Sequence, residues 1–396
     1  MIFNIRRIRT VLYGDGVRDD TKALQELLDK RGIVTVDKPG TYMVSKTLII
    51  HSNTRFILAP GATLKAAPYS RCALIENEHF AGGGRDENIE IVGGIWDGSC
   101  DDMGLDGEYE AVHRLDEPYS PKLFKGKLVR FAHIDQIILT GLTVKNPVSY
   151  GIQIGDVRGF VVRDIFFDYN WHFGTTDGVH INGPARDGVV ENLCGTTNDD
   201  MVGVTTIDEC HAEISRGDIE NLYIHNVTAK NGYSGVRLLS AGNCFMRRIV
   251  VDGVYGDYRH NAVLVSQHDM TPGEKTWFDD ITIEHIHASK SCTPLGDDCF
   301  TYWEKECYRG PIVWFEKGVH VGSAVIRNVV RHEKSTVTCG HLIKLDKDAT
   351  IERLVVENVY QTNDEGVEAP VWFNEATIGE LIERNVMKQS FEQLKN

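Results

Sequence analysis

The chain repeats one pattern of hydrophobic and polar positions over most of its length. Each unit has a turn, a short run in which Val, Ile or Leu alternates with polar residues, a small or glycine break, and a second such run. Clear examples begin at Asn88, Gln136, Gly159, Gly188, Asn221, Cys244, Asp280, Val319, Thr350 and Thr377. Most successive starts lie roughly 23 to 36 residues apart, a period typical of stacked coils.

This period predicts an all-β fold, a single-stranded right-handed parallel β-helix, or solenoid. Short parallel strands meet at sharp corners, and each coil buries its inward residues against the next coil. The segments between the runs have neither the period nor the length of helices, which argues against βαβ units. We therefore expect residues 1–396 to form one elongated domain.

One convincing helix lies near the N-terminus, in GDGVRDDTKALQELLDK at residues 14–30. Apolar residues recur there at helical spacing, Asp19 or Asp20 can cap the start, and Gly32 can end it. We expect this helix to close one end of the solenoid, as part of an N-terminal cap spanning about residues 1–35.

Two stretches interrupt the repeat, at about residues 98–127 and about residues 291–317. Both are long, aromatic and charged. We expect them to project from the coil, because loops on a rigid scaffold commonly build the walls of a binding cleft.

The charge balance limits the partners. The chain has 57 Asp and Glu against 42 Lys and Arg, a formal net charge of -15. Such a field repels nucleic acid and anionic membrane surfaces, so we predict neither as a partner. There is no apolar run of signal-peptide or membrane-spanning length, which predicts a cytoplasmic protein from the sequence as given, or a secreted one if a leader was removed.

The nine cysteines are scattered and show no spacing typical of metal ligands. They indicate reduced core thiols, or one local bridge among Cys292, Cys299 and Cys307. No cluster of His, Cys and Asp has convincing ligand spacing, so we predict no cofactor and no metal site. Calcium bound by surface carboxylates is an alternative that the sequence leaves open.

The N-terminal segment GDGVRDDTKALQELLD, followed by GTYMVSKTLIIHSNTRFILAPGATL, resembles the opening of pectin-lyase-like β-helix proteins. The similarity is closest to glycoside hydrolase family 28, the polygalacturonases. That family has an Asn-Thr-Asp-Gly motif and, about one coil later, Gly-Asp-Asp. Here Thr175 to Gly178 and Asn198 to Asp200 match in order and spacing, with Thr175 in place of Asn and Asn198 in place of Gly.

The resemblance implies an inverting hydrolase. Asp199 would be the general acid, and Asp177 and Asp200 would hold the nucleophilic water. Equivalent positions on adjacent coils lie about 4.8 Å apart, so a β-helix can bring these carboxylates together. Crowded carboxylates raise the pKa of at least one member, as an acid that works near neutral pH requires.

Three features depart from the family pattern. Its Gly-His-Gly motif has no counterpart, and the nearest candidate, residues 234–237, follows an extra segment at residues 206–218. Its Arg-Ile-Lys motif, which binds the galacturonate carboxylate, is absent near residues 263–266. His180 stands where the family usually has an acidic residue. These differences weaken pectin as the substrate more than they weaken hydrolysis at a sugar.

Further candidates for substrate contact surround the aspartates in sequence. His180 alternates with Val179 and Ile181, which predicts an outward side chain, either solvated or in contact with substrate. Arg237 either binds a substrate hydroxyl or anion, or pairs with a neighbouring aspartate. Trp171 and His172 form a sugar platform, or Trp171 belongs to the core. The remaining candidates are Asn182, His260 and Gln267, and the last two are either substrate contacts or ordinary polar surface residues.

These observations predict a glycoside hydrolase acting on a poly- or oligosaccharide, with no prediction of sugar, linkage or oligomeric state. One alternative is a polysaccharide lyase on the same fold, which needs a basic residue at the α-proton. The other is a non-catalytic, tailspike-like carbohydrate-binding protein. The ordered set of three aspartates favours hydrolysis, because binding alone does not require it.

Overall fold

A computed structural model describes residues 11–105, 124, 126–208, 212–267, 276–300, 310–333, 341–363 and 371–390. It confirms the expected fold, a right-handed parallel β-helix. Numbered β1 to β25 in chain order, the strands are Asp15–Asp19, Gly32–Val36, Gly40–Val44, Leu48–Ile50, Thr54–Leu58, Ala62–Ala66, Ile75–Asn77, Asp86–Val92, Ile95–Asp97, Val129–Thr140, Thr143–Lys145, Ile152–Asp168, Val179–Thr196, Asp200–Thr205, Ile219–Gly232, Ser234–Leu239, Phe245–Tyr258, Val263–Ser266, Trp277–Lys290, Val313–Phe315, His320–Glu333, Ile343–Leu345, Thr350–Asn363, Trp372–Asn374 and Thr377–Ser390.

The predicted N-terminal helix is α1, Thr21–Leu28. It buries Ala23, Leu24 and Leu28 against the first coils, and a 3-10 helix follows later at Cys100–Met103. Gly32 starts β2 rather than ending the helix directly. Residues 1–10 of the expected cap lie outside the described residues. Among the described residues, no helix combines the length and apolar character needed to cross a bilayer.

Each strand pairs in parallel with its equivalent on the next coil. One stack of strands carries the candidate site, and we call it the site sheet. It contains β4, β7, the first residues of β10, β12 and β13, and then β14, β16, β18, β20, β22 and β24.

Inward side chains fill the space between the sheets along the whole coil. The largest fully buried apolar side chains are Trp96, Tyr258, Phe56, Phe131, Phe160, Phe167, Phe278, Phe315, Leu24 and Leu28. Because they alternate with outward residues, a substitution on the outer face of the site sheet leaves the packing beneath it in place.

The corners are built from residues in the left-handed conformation. Asn328, Asn358 and Asn385 have φ values of 56°, 54° and 52°. Each later side-chain amide donates a hydrogen bond of 3.0 Å to the amide oxygen of the residue one coil earlier. Asparagine tolerates this conformation better than most residues, so its recurrence at the turns fixes where each coil bends.

The two projecting stretches are only partly described. Residues 106–123 and 125 of the first, and residues 301–309 of the second, lie outside the described residues. The second stretch is expected to extend to about residue 317, but Val313–Phe315 form β20, which pairs with β18 and β22 in the site sheet.

The cysteines fit both expectations in part. Cys292 is disulfide-bonded, whereas Cys72, Cys100, Cys194, Cys244 and Cys299 form no disulfide. Cys307 lies outside the described residues.

Candidate active site

The predicted catalytic aspartates lie at the N-terminal ends of two adjacent strands of the site sheet. Asp177 comes just before β13, and Asp199 comes just before β14, which Asp200 begins. The amide of Gly178 donates a 2.9 Å hydrogen bond to the carbonyl of Asp200 and locks the two coils together. One carboxylate oxygen from each aspartate lies within 4.8 Å of the others. The structure thus brings the three carboxylates together.

Burial and mutual repulsion change how these groups titrate. Asp177 and Asp200 are 3% and 5% exposed, and Asp199 is half-buried. Burial, then the charges of Asp177 and Asp200, raise the pKa of Asp199 well above its usual range. Burial and Asp177 raise the pKa of Asp200 to about 7. The cluster therefore retains a proton near neutral pH.

His180 is buried, so the expectation of a solvated histidine is wrong. Its Nδ1 lies 2.5 Å from Asp177 Oδ2, and its Nε2 lies 2.9 Å from Asp208 Oδ2. Although burial alone would lower it, these two carboxylates raise the pKa of His180 to about 10. The observed contacts of the His180 ring nitrogens are with Asp177 and Asp208, and its contact with substrate stays a prediction.

Asp208 comes from the extra segment at residues 206–218, of which residues 209–211 lie outside the described residues. Buried amides beneath the segment hold it in place. Gln153 Nε2 donates 2.8 Å hydrogen bonds to Asn182 Oδ1 and to the carbonyl of Ala212. Asn182 is 0% exposed, so in this structure it supports the segment and does not reach the cleft.

Arg237 lies one coil beyond the aspartates, in register with Gly203. Its Nε donates a 2.9 Å hydrogen bond to Ser266 Oγ. Although burial alone would lower it, the pKa of Arg237 is raised by the negative charges of Asp200, Glu316 and others. Arg237 is thus a fixed positive charge beside the aspartates, consistent with both roles predicted for it.

The row of Arg237 continues along the site sheet through Leu264, Trp314, Lys344 and Phe373. The ammonium of Lys344 lies 4.3 Å from the centre of the Trp314 ring. The chain therefore places aromatic and cationic side chains beyond the aspartates along one face. Sequence reasoning missed them because a long projecting stretch separates β18 from β20.

His260 and Gln267 have mainly structural contacts. The ring of His260 stacks on Tyr233, with centroids 5.2 Å apart. Burial, then the positive charges of Lys290 and Arg237, lower the pKa of His260 to about 3, which keeps it neutral. The amide of Gln267 donates a 2.8 Å hydrogen bond to the carbonyl of Lys317.

The expected sugar platform of Trp171 and His172 is not formed. Trp171 is only 5% exposed. His172 lies between Asp101 and Asp298, with contacts of 2.7 and 3.2 Å. Hydrogen bonding to Asp101 raises the pKa of His172. His172 therefore links the two projecting stretches to each other, a role that its position in the sequence does not reveal.

Asn198, which replaces the glycine of the family motif, also makes contact with the second projecting stretch. Its Nδ2 donates hydrogen bonds to the carbonyls of Phe173, at 2.8 Å, and Phe300, at 2.6 Å. The substitution ties the turn before Asp199 to the second projecting stretch.

Thr175, which replaces the asparagine of the family motif, has a left-handed backbone with φ of 48°. A β-branched residue is a steric outlier in this conformation, and asparagine is enriched there. We expect Thr175→Asn to raise the free energy of unfolding by about 1 kcal/mol. Urea denaturation of the two proteins measures this difference.

Thr143→Asn is a matched control, because Thr143 lies in strand β11 and is absent from the positive-φ residues. Threonine suits a strand better than asparagine, so this variant should be destabilised. Equal losses in both variants would show that the backbone at residue 175 stores no strain.

Three groups among the described residues have carboxylate or imidazole atoms close enough to surround an ion. They are Glu78 with His79 and Asp86, Asp252 with Glu284 and His285, and the three catalytic candidates. In the last group, His180 and Arg237 already supply positive charge beside the carboxylates.

No family model matches the sequence, and no curated protein matches it. Solved structures do match. An exopolygalacturonase from Thermotoga maritima is 13% identical, with a TM-score of 0.65 over 94% of this chain and 89% of its own. The A-module of a mannuronan C-5 epimerase from Azotobacter vinelandii is 15% identical, with a TM-score of 0.57 over 94% and 97%.

A mutant tailspike protein of an E. coli bacteriophage is 13% identical, with a TM-score of 0.60 over 92% of this chain and 63% of its own. These proteins differ in what they do, and at such identity the likeness concerns the fold. The chain thus shares the right-handed parallel β-helix fold of these three proteins.

Proposed function

We propose that this protein is a glycoside hydrolase that cleaves a glycosidic bond in a poly- or oligosaccharide with inversion. Asp199 protonates the leaving oxygen, while Asp177 and Asp200 hold the attacking water. The observation that carries this proposal is the convergence of three carboxylates within 4.8 Å. Burial raises the pKa of all three, while the hydrogen bond and the charge of His180 act to lower that of Asp177.

The environments of the aspartates support these roles. An acid must keep its proton near the working pH and must reach the substrate. Asp199 has the strongly raised pKa and is the least buried of the three. A base must be ionised, and Asp177 has the side chain of His180 as a direct partner. The pairing of one protonated and one ionised carboxylate is what glycoside hydrolysis requires.

The close spacing bears on stereochemistry. Carboxyl groups in inverting enzymes are typically about 6.5–9.5 Å apart, and those in retaining enzymes about 5–5.5 Å apart. In this structure, one carboxylate oxygen from each of the three aspartates lies within 4.8 Å of the other two. Inversion then requires the water to lie against Asp177 and Asp200 together, on the far side of the sugar from Asp199. Product stereochemistry is therefore the sharpest test.

Two observations bear on the alternatives. A lyase needs a basic group that loses its proton, but neighbouring carboxylates raise the pKa of Arg237 and keep it charged. A purely binding protein has no use for crowded carboxylates that oppose folding near neutral pH. The residues along the site sheet, with Trp314 and Lys344 in register, suit a saccharide under any of these hypotheses.

The experiment is a panel of neutral and acidic glycan fragments with three measurements. We expect new reducing ends, and NMR within the first minutes should show the anomer opposite to that of the cleaved bond. The retained anomer would contradict inversion. An unsaturated product absorbing in the ultraviolet would identify a lyase, and binding without turnover would identify a carbohydrate-binding protein.

A further inference from the structure

The buried imidazole of His180 lies between two carboxylates from different parts of the chain. Nδ1 is 2.5 Å from Asp177 Oδ2, and Nε2 is 2.9 Å from Asp208 Oδ2. A neutral imidazole has one N–H and one lone pair, so one carboxylate would face a lone pair. Only the imidazolium donates to both. The geometry therefore favours a charged His180.

Other side chains fix the plane of this ring. Tyr150 stacks on it, with centroids 4.1 Å apart and planes 6° from parallel. Thr205 Oγ1 lies 2.7 Å from Nε2, and the Tyr150 hydroxyl donates to Asp208 Oδ2 at 3.4 Å. His180 consequently has one orientation, and so does the Asp177 oxygen that it binds.

The other charged side chains near His180 affect its positive charge in opposite directions, because the carboxylates favour it and the cations oppose it. Asp199 and Asp200 interact favourably with its positive charge, since that charge lowers the pKa of each. Arg237 acts on the same carboxylates from the next coil. On the other side, the ammonium of Lys127 lies 4.6 Å from the centre of the Tyr150 ring. The two carboxylates in direct contact outweigh these cations.

We propose that His180 and Asp208 are positioning residues that keep Asp177 ionised and orient it toward the water. Asp208, which comes from the extra segment, then acts on Asp177 through His180. This inference rests on the proposed function, because it assigns the support of the residue that activates water. His180 itself need not touch the substrate.

Loss of Asp208 should act through His180. With one carboxylate removed, the pKa of His180 falls and it loses its charge at a lower pH. Removing the negative charge of Asp208 by itself lowers the pKa of Asp177, but the hydrogen bond and the charge of His180 have larger effects on that pKa. The pKa of Asp177 therefore rises when His180 becomes neutral, because a positive neighbour favours the ionised carboxylate. The acidic limb of the activity profile should move to higher pH. If Asp208 only contacted substrate, its loss would change KM and would not shift the acidic limb of the pH–activity profile.

The first experiment does not depend on activity. NMR of protein with ¹⁵N-labelled histidine reports the protonation of His180, assigned by comparison with His180→Gln. We expect His180 to remain protonated through pH 8 in the unaltered protein and to titrate at lower pH in Asp208→Asn. A neutral His180 at pH 7 in the unaltered protein would overturn the proposal, whether or not the variant folds.

The second experiment compares kcat/KM profiles of Asp208→Asn, His180→Gln and Asp218→Asn. Asp218 lies in the same segment and accepts a 3.0 Å hydrogen bond from the backbone N–H of Phe245, so its variant is a matched control. We expect the first two variants to lose about tenfold or more in kcat on the acidic side, with KM little changed, since one pKa unit is a factor of ten. Asp218→Asn should keep the original profile.

The outcomes separate this inference from the proposed function. If Asp199→Asn is inactive while Asp208→Asn keeps the original profile, the hydrolase assignment stands and the positioning role is wrong. If Asp199→Asn retains full turnover, the hydrolase assignment is wrong, and the NMR titration still decides whether His180 is charged. A change in KM alone would make the segment a substrate contact and overturn the proposal.

Discussion

Replacing Asp199 with asparagine should lower turnover by about 10²- to 10⁴-fold, the contribution typical of general acid catalysis. Asparagine fills the same space but cannot deliver a proton to the leaving oxygen. The measurement is kcat/KM on the best glycan of the panel. A purified variant with the original circular dichroism spectrum shows that the loss is chemical.

A substrate with a different leaving group tests more directly whether Asp199 is the general acid. An aryl glycoside with a very acidic phenol needs little proton donation, so Asp199→Asn should lose far less activity on it than on the natural bond. Equal losses on both substrates would remove Asp199 from the acid role. Asp187→Asn is a matched control, since Asp187 occupies a corner and accepts a 2.7 Å hydrogen bond from Asn221.

The same variant should also gain stability near neutral pH. A carboxyl whose pKa is raised in the folded state binds its proton more tightly there than in the unfolded chain. Folding stability then falls as pH rises from the ordinary aspartate pKa through the raised one. Asp199→Asn abolishes that fall at this position, because burial and two carboxylates raise the pKa of Asp199. Activity and stability should thus change in opposite directions.

The fold was predictable because a β-helix is specified locally and repeatedly. Alternating apolar residues mark the strands, and residues such as Asn328 and Asn358 mark the left-handed corners. Each coil contacts mainly its neighbours, so a weak signal repeated many times becomes a strong one. The convergence of Asp177 with Asp199 followed from the same regularity, being a separation of one coil.

The environment of the aspartates was less predictable. Alternation predicted the face on which His180 lies, but not what covers that face. Asp208 belongs to the extra segment, and the carbonyl of Ala212 in the same segment accepts a hydrogen bond from the buried amide of Gln153. That contact depends on packing across several coils, which one-dimensional periodicity does not contain. An extra acidic segment directly after the Asp pair was the available signal.

The sequence could not decide between a sugar platform and a core tryptophan at Trp171, nor predict the contacts of His172, for a different reason. Both residues precede the motif in sequence, which suggested a position beside the substrate. They lie in a connection between strands, where no alternation fixes direction. His172 instead binds Asp101 and Asp298, one from each projecting stretch. Residues in such connections acquire their roles from long-range contacts.

Replacing Glu333 with glutamine should lower the free energy of unfolding by about 3–5 kcal/mol, the usual result of leaving a buried charge uncompensated. Arg331 and Glu333 are 0% and 1% exposed, and Arg331 Nε donates a 2.6 Å hydrogen bond to Glu333 Oε1. Glu333 also accepts the backbone N–H of Lys290. Urea denaturation at pH 7 measures the loss.

A double variant separates this electrostatic effect from damage to packing. Arg331→Met with Glu333→Gln removes both charges, while the glutamine oxygen can still accept the N–H of Lys290. It should be more stable than Glu333→Gln alone, because no unpaired guanidinium remains buried. Lys290 also donates to the carbonyls of His260 and Pro311, which support the corner bearing His260. A double variant as unstable as the single one would locate the loss in packing rather than in charge.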